Sequence, residues 1–265
     1  MNKKLNFIFI LFIVIILTIL TQVGGVVLLI SIVLADKLRL KSTIKKNLLF
    51  FGLYLILSFS FIPFLAHLLG RERIINTEKI SPTNYMTVLL NRNYVTPEMN
   101  KTLAGLSDNL SQTDIKIKYL DANFPFINGF PLLPHLSHND GNKLDISLVY
   151  QTLDGQITDC SKSISGYGVF EDVIEGEINQ PQKCLSAAYF QYDYPKYLTL
   201  GQINLDLKFS EIGTRKLLLA LIEQKEVKKI FIEPHLKNRL RLSNKKIRYH
   251  GCRAVRHDDH IHFQI

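Results

Sequence analysis

Apolar residues fill positions 5–20 and, after an interruption at Thr21, Gln22, Val23, Gly24 and Gly25, positions 26–35. A third apolar run, residues 47–70, holds Pro63 and His67 but no acid, lysine or arginine. A run above about 20 residues suffices to cross a hydrocarbon core of about 30 Å, so the third predicts a membrane helix. The first two are each shorter than a full span and together predict a tight helical hairpin over residues 5–35. One long helix is the alternative, and it would set Lys3 and Lys4 opposite the basic loop, residues 36–46, that carries Lys37, Arg39, Lys41, Lys45 and Lys46. Positive flanks favour the cytoplasmic side, and only the hairpin keeps both groups there. The third helix then exports everything beyond residue 70. A cleaved signal peptide also begins with lysines and an apolar run, but the second and third runs would remain in the membrane.

Beyond residue 70 the periodicity changes. Residues 71–114 read as a polar connector with one helix, started by Thr96 as N-cap and Pro97 and reaching about Leu110. It is expected to pack outside the following domain or to space that domain from the bilayer. Residues 115–120, 145–150 and 228–233 alternate as strands, the second with Asp145, Ser147 and Val149 on one face. Residues 210–224 form an amphipathic helix whose buried face is Ile212, Leu217, Leu218, Ala220, Leu221 and Ile222, and residues 234–242 form a short one. The chain ends in alternation again, which sends Ile261 and Phe263 inward and places His260 and His262 together on the opposite face.

Charge adds topology rather than a partner. The chain carries 32 Lys/Arg against 23 Asp/Glu, a net +9, and most of that excess lies in the apolar N-terminal region. The remainder shows no basic stripe interleaved with aromatics, which argues against nucleic acid. Residues 123–134 are dense in aromatics and prolines, suiting either a groove wall or a hydrophobic plug. Tyr189, Phe190, Tyr192, Tyr194 and Tyr197 could stack on a sugar, shape a peptide groove or pack around Pro195. Of three cysteines, Cys160 and Cys184 bracket a loop-rich stretch and could pair outside the cytoplasm, leaving Cys252 free; zinc ligation by Cys252 is a rival role.

The candidate chemistry is histidine chemistry. Six of the eight histidines, at 135, 138, 250, 257, 260 and 262, fall in or beside two clusters. A turn of Asn139, Asp140, Gly141 and Asn142 can bring His138 back towards Asp145. His138, Asp145 and His262 would supply two nitrogens and one carboxylate oxygen, with a fourth position for water, the usual open coordination of catalytic zinc. Ligation by His260 as well would close the site and make the metal structural.

These motifs resemble the LAS metallopeptidases, which comprise lysostaphin-type enzymes, D-Ala-D-Ala metallopeptidases and the sonic hedgehog signalling domain. The resemblance is greatest to the penicillin-insensitive murein endopeptidases. His135, Ser137, His138 and Gly141 followed by Asp145 and Ile146 look like their first motif, and His257, Asp258, His260 and His262 like their last. The segment from Lys229 through Ile230, Phe231, Ile232 and Glu233 to Pro234 looks like the one preceding it; Lys143 stands where that family usually has an acid. The resemblance covers roughly residues 115–265. It implies an α+β fold, a small antiparallel sheet with flanking helices, here preceded by N-terminal transmembrane helices. It further implies Zn2+, with His257 or His260 moving protons, His135 binding substrate or the oxyanion, and Asp258 orienting an imidazole. The substrate implied is peptidoglycan, at amide bonds next to D-alanine in stem-peptide cross-links, reached from a bacterial inner membrane with the C-terminal domain in the periplasm. A D,D-carboxypeptidase or dipeptidase is the alternative within this chemistry, and a non-catalytic metal-stabilised membrane binding module the alternative outside it.

Overall fold

Glycine and a left-handed residue turn the chain at its first bend. The computed structural model describes residues 3–265, with side chains from Leu5, so the side chains of Lys3 and Lys4 lie outside the described residues. Helix Lys3–Thr21 stops where Gln22 takes φ 66°, and helix Gly24–Lys37 returns along it. A Cβ on Gly25 would stand 2.1 Å from Thr18 Oγ1 and 2.6 Å from the Val14 carbonyl oxygen. Only glycine permits that approach. The third apolar run is helical over Thr43–Leu68, starting earlier than residue 47, and is long and apolar enough to cross a membrane, whereas Leu5–Thr21 falls short of that length. Its turn at Leu57–Phe61 widens to a π-helix, because Pro63 offers no N–H to the carbonyl of Phe59. Arg73 donates to the Ser58 carbonyl in that turn at 2.6 Å and from Nε to the Tyr94 hydroxyl at 3.1 Å.

Two compact units emerge. The first joins the helical region, through Ile74, to Thr87–Pro97 and Ala122–Gly141. Its core clusters Val23 at the hairpin tip with Ile62, Ala66 and Tyr94, and Phe126 packs against them. The Phe126 N–H donates to Gln22 Oε1 at 2.8 Å, and Arg71 donates to the Phe124 carbonyl and to Asn128 Oδ1. Gly141, at φ 83°, passes against the Arg71 side chain, where a Cβ would come within 2.7 Å. The loop dense in aromatics and prolines is therefore part of the helical unit, with Phe124 and Leu132 buried and Ile127 and Leu133 exposed.

The second unit is α+β and is built on a six-stranded sheet. Its strands are β1 (Ile80–Pro82), β2 (Ile117–Tyr119), β3 (Lys143–Ser147), β4 (Lys229–Phe231), β5 (Ile247–Arg248) and β6 (His260–Gln264), in the order β5-β4-β6-β3-β2-β1. The central pairs are antiparallel; β4 with β5 and β1 with β2 are parallel. Parallel neighbours need a crossover, and helices Pro234–Arg239 and Pro97–Asn109 provide them. A small three-stranded sheet pairs Tyr150–Gln151 with Ile157–Thr158 and Lys208–Phe209.

Three expectations are corrected here. Residues 71–114 are not a spacer: they supply β1, and helix Pro97–Asn109 buries Met99, Leu103 and Leu106 completely or nearly so. Helix Glu211–Glu223, capped by Ser210 on the Gly213 N–H, buries Leu217, Leu218, Ala220 and Leu221 but leaves Ile212 exposed, since that residue falls off the 3.6-residue stripe. The disulfide joins Cys184 to Cys252, with Cα atoms 5.2 Å apart, and Cys160 is free and exposed. Cys252 is thereby removed as a zinc ligand. If helix Pro97–Asn109 is core, Leu106→Ala costs about 2–5 kcal/mol. A lowered thermal unfolding midpoint in detergent checks this; an unshifted one would mark the helix as peripheral.

Candidate metal centre

Register brings the last strand's histidines to the first cluster's carboxylate. On β6, His262 lies opposite Asp145 of β3 and Phe231 of β4, and His260 opposite Ser147, so all share one face of the sheet. Ile261 and Phe263 are fully buried on the other face, as the alternation requires. Asp145 is itself fully buried, an arrangement that costs several kcal/mol unless polar groups meet the charge. They do: His262 Nδ1 stands 2.8 Å from Oδ1, and the Tyr167 hydroxyl donates to Oδ2 at 2.9 Å. His260 Nε2 approaches Oδ2 to 3.7 Å. Gln264, two residues along the same face, donates to His262 Nε2 at 3.0 Å.

The first cluster meets the same carboxylate. His135, His138 and Asp145 are buried, and one ligand atom from each lies within 4.8 Å of the others. His138 Nδ1 lies 2.7 Å from the Ala122 carbonyl oxygen, which can only accept, so the proton is on Nδ1 and Nε2 keeps its lone pair for an ion. Two imidazoles and one carboxylate are a donor set that suits Zn2+, and this cluster could bind a metal ion. His135, expected to bind substrate or the oxyanion, stands among the candidate ligands.

Around this centre the remaining histidines are held by partners that differ from those expected. Asp258 does not orient an imidazole of the last motif. It pairs with Arg256, whose Nε donates to Oδ1 at 2.7 Å, while the same guanidinium reaches Asp172 and Asp193 and covers the Phe170 ring. Asp259 takes the orienting role, with Oδ1 2.5 Å from His260 Nδ1 and Oδ2 accepting the Gly168 N–H. Burial opposes charge on His260, but the carboxylates of Asp259 and Asp145 outweigh it and raise its pKa. His257 is pushed well below its usual range by burial and by His260, His262 and His250. The His257 N–H donates to Glu233 Oε1 at 3.1 Å, and Glu233 Oε2 accepts from Tyr192 at 2.6 Å. Tyr192 is thus packing and hydrogen-bonding structure, whereas Tyr194 and Tyr197 are exposed.

His250 completes the group from the solvent side. Its ring lies 4.3 Å from Phe231 and 5.4 Å from His257, and is nearly parallel to that of His262 at 6.3 Å. The disulfide ties the following residue pair, through Cys252, to helix Gln180–Ser186. Tyr167 and Asp259 went unrecognised in the sequence. Tyr167 had one local signal, its position between Gly166 and Gly168, both at positive φ.

No protein-family model matches the chain, and no curated protein matches it.

Tyr167→Phe removes the donor to Asp145 Oδ2 and the acceptor of the Asp121 N–H, so the metal affinity is expected to fall by about 10–100-fold, as for other groups that orient a ligand. Chelator competition on the full chain measures it. An unchanged affinity would dissociate the Tyr167 hydroxyl from metal binding.

Proposed function

We propose that the chain is a membrane-anchored, zinc-dependent peptidase of the LAS type, acting outside the cytoplasm on amide bonds next to D-alanine in peptidoglycan stem-peptide cross-links. The observation that carries this reading is Asp145, a buried carboxylate within reach of His135 and His138 on one side and in contact with His262 on another. His138 and Asp145 would hold the ion, with His262 as the third ligand on the resemblance and His135 as the competing imidazole. Bound there, zinc would lower the pKa of a water towards 7 and polarise the scissile carbonyl. The chain's own residues then manage protons. His257, 4.9 Å from His260 between ring centroids and kept neutral by its burial, would accept a proton, and His260, whose pKa its carboxylates raise, would deliver one to the leaving amine. Asp259 fixes the direction of the His260 ring. His250, exposed beside them, faces arriving substrate.

The helical unit supports the anchoring. Its chain folds back at Gln22, so the basic loop of residues 36–46 lies at the end away from the hairpin tip. Leu68 ends its helix near that tip, where Ile62 and Ala66 pack on Val23. Large apolar side chains on these helices are exposed, among them Phe7, Ile44 and Leu48, as contact with lipid requires. With the basic loop inside, the chain beyond Leu68 would leave the helices on the outer side.

A second reading, a non-catalytic binding module, is favoured by the number of ligands at hand: His135, His138, Asp145 and His262 could together close the coordination sphere. Full-length protein in detergent is the material for a test, because Ala122–Gly141 folds with the membrane helices. One zinc per chain is expected, lost in His138→Ala; comparison of His262→Ala with His135→Ala identifies the third ligand. Cross-linked muropeptide dimers converted to monomers would identify an endopeptidase, and released D-alanine a carboxypeptidase. Zinc without any product would leave the binding module, and a folded chain that takes up no zinc would end both readings.

A further inference from the structure

The end of the helical unit away from the hairpin tip forms a half-open cavity of about 920 Å³, near the top of the range of about 300–1,000 Å³ that holds single small-molecule ligands. Its walls and its rim differ in chemistry. Ile10, Leu28, Ile32 and Phe50 make the walls apolar. Lys37, Arg39, Lys41 and Lys46 stand at the rim, against Asp36 as the one carboxylate lining it. None of these four cations forms an ion pair among the described residues.

The turn itself does not consume them. Cations beside a helix C-terminus often serve to satisfy its last carbonyls. Here the backbone does so: Arg39, at φ 52°, donates its N–H to the Asp36 carbonyl and Leu40 donates to the Ala35 carbonyl, both at 2.9 Å. This pair of bonds is the Schellman closure, complete without any side chain. Four cationic heads are left around an opening whose interior is hydrocarbon-like. A free anion would match the rim and leave the walls wet, and a neutral or zwitterionic lipid would match the walls and leave the net charge unmet.

We propose that this cavity binds one anionic phospholipid, its phosphate held among Lys37, Arg39, Lys41 and Lys46 and its acyl chains laid along Ile10, Leu28, Ile32 and Phe50. The proposal rests on the reading that these helices lie in a bilayer and is independent of the metal centre. Basic pockets between membrane helices recognise anionic headgroups through this combination of charge and apolar depth.

The test uses full-length protein reconstituted into vesicles of phosphatidylcholine alone or mixed with phosphatidylglycerol, re-extracted in detergent and weighed intact by native mass spectrometry. Wild type is expected to retain one phosphatidylglycerol in preference to phosphatidylcholine. The K37Q/R39Q/K41Q/K46Q variant should retain about tenfold less or lower still, given the contribution of each basic residue near an anionic surface. Ile32→Trp keeps every charge while filling the wall, and should also lose the lipid. Millimolar inorganic phosphate should not displace it. Equal retention of the two lipids, displacement by phosphate, or undiminished retention in both variants would overturn the proposal while leaving the membrane reading intact. Failure of wild type to float with either vesicle would overturn both.

Discussion

A carboxylate without access to water must be neutralised by what surrounds it, and Asp145 imposes that requirement on much of the second unit. Its strand is fixed from both sides: β6 pairs along its whole length, while the Asp145 N–H donates to the Asp121 carbonyl and its carbonyl accepts from Leu120. Its side chain then orders Tyr167 and His262, and Tyr167 in turn accepts the Asp121 N–H at 3.1 Å. Electrostatic interactions strengthen in such a low-dielectric setting, so a cluster that binds a cation and one that merely buries charge are close relatives energetically. Three imidazoles, those of His135, His138 and His262, come close to this one carboxylate.

Positioning the second histidine group takes a separate apparatus. Glu233, at the end of β4, holds both the His257 N–H and the Tyr192 hydroxyl, and the Glu233 N–H donates to the His257 carbonyl. Arg256, clamped by three carboxylates and stacked on Phe170, fixes the approach to β6. The disulfide limits the preceding loop, which carries His250. Three kinds of restraint, a buried acid, an ionic hub and a covalent link, thus act on a stretch with little regular structure of its own. Such restraint is what holding several imidazoles within a few ångströms of one another demands.

The N-terminal helical region also shapes the loop that carries His135 and His138. Gln22 at the hairpin tip and Arg71 just beyond the long helix both bind the loop that later presents His135 and His138. The N-terminal helices and this loop share a core around Tyr94. In the reading proposed here, inserting the helices and shaping half of the donor set are parts of one folding event.

Local periodicity was sufficient for what is local. The apolar runs, the helix after Thr96, the helix after Ser210 and the shared face of His260 and His262 follow from spacings of 3.6 and 2 residues, which backbone geometry enforces wherever the chain ends up. Gln264 was legible by the same rule. The two histidine clusters could be singled out because their spacing is short, and the fold brings His138 and Asp145 together across the expected turn. Long-range choices carried no such signature. The Cys184–Cys252 pairing, the capture of Asp258 by an Arg256 that also reaches Asp172 and Asp193, the hydroxyl of Tyr167 on Asp145, and the inclusion of residues 80–82 in the sheet all depend on which distant surfaces meet. Burial and hydrogen-bond satisfaction decide those meetings, and they exist only once the tertiary structure has formed.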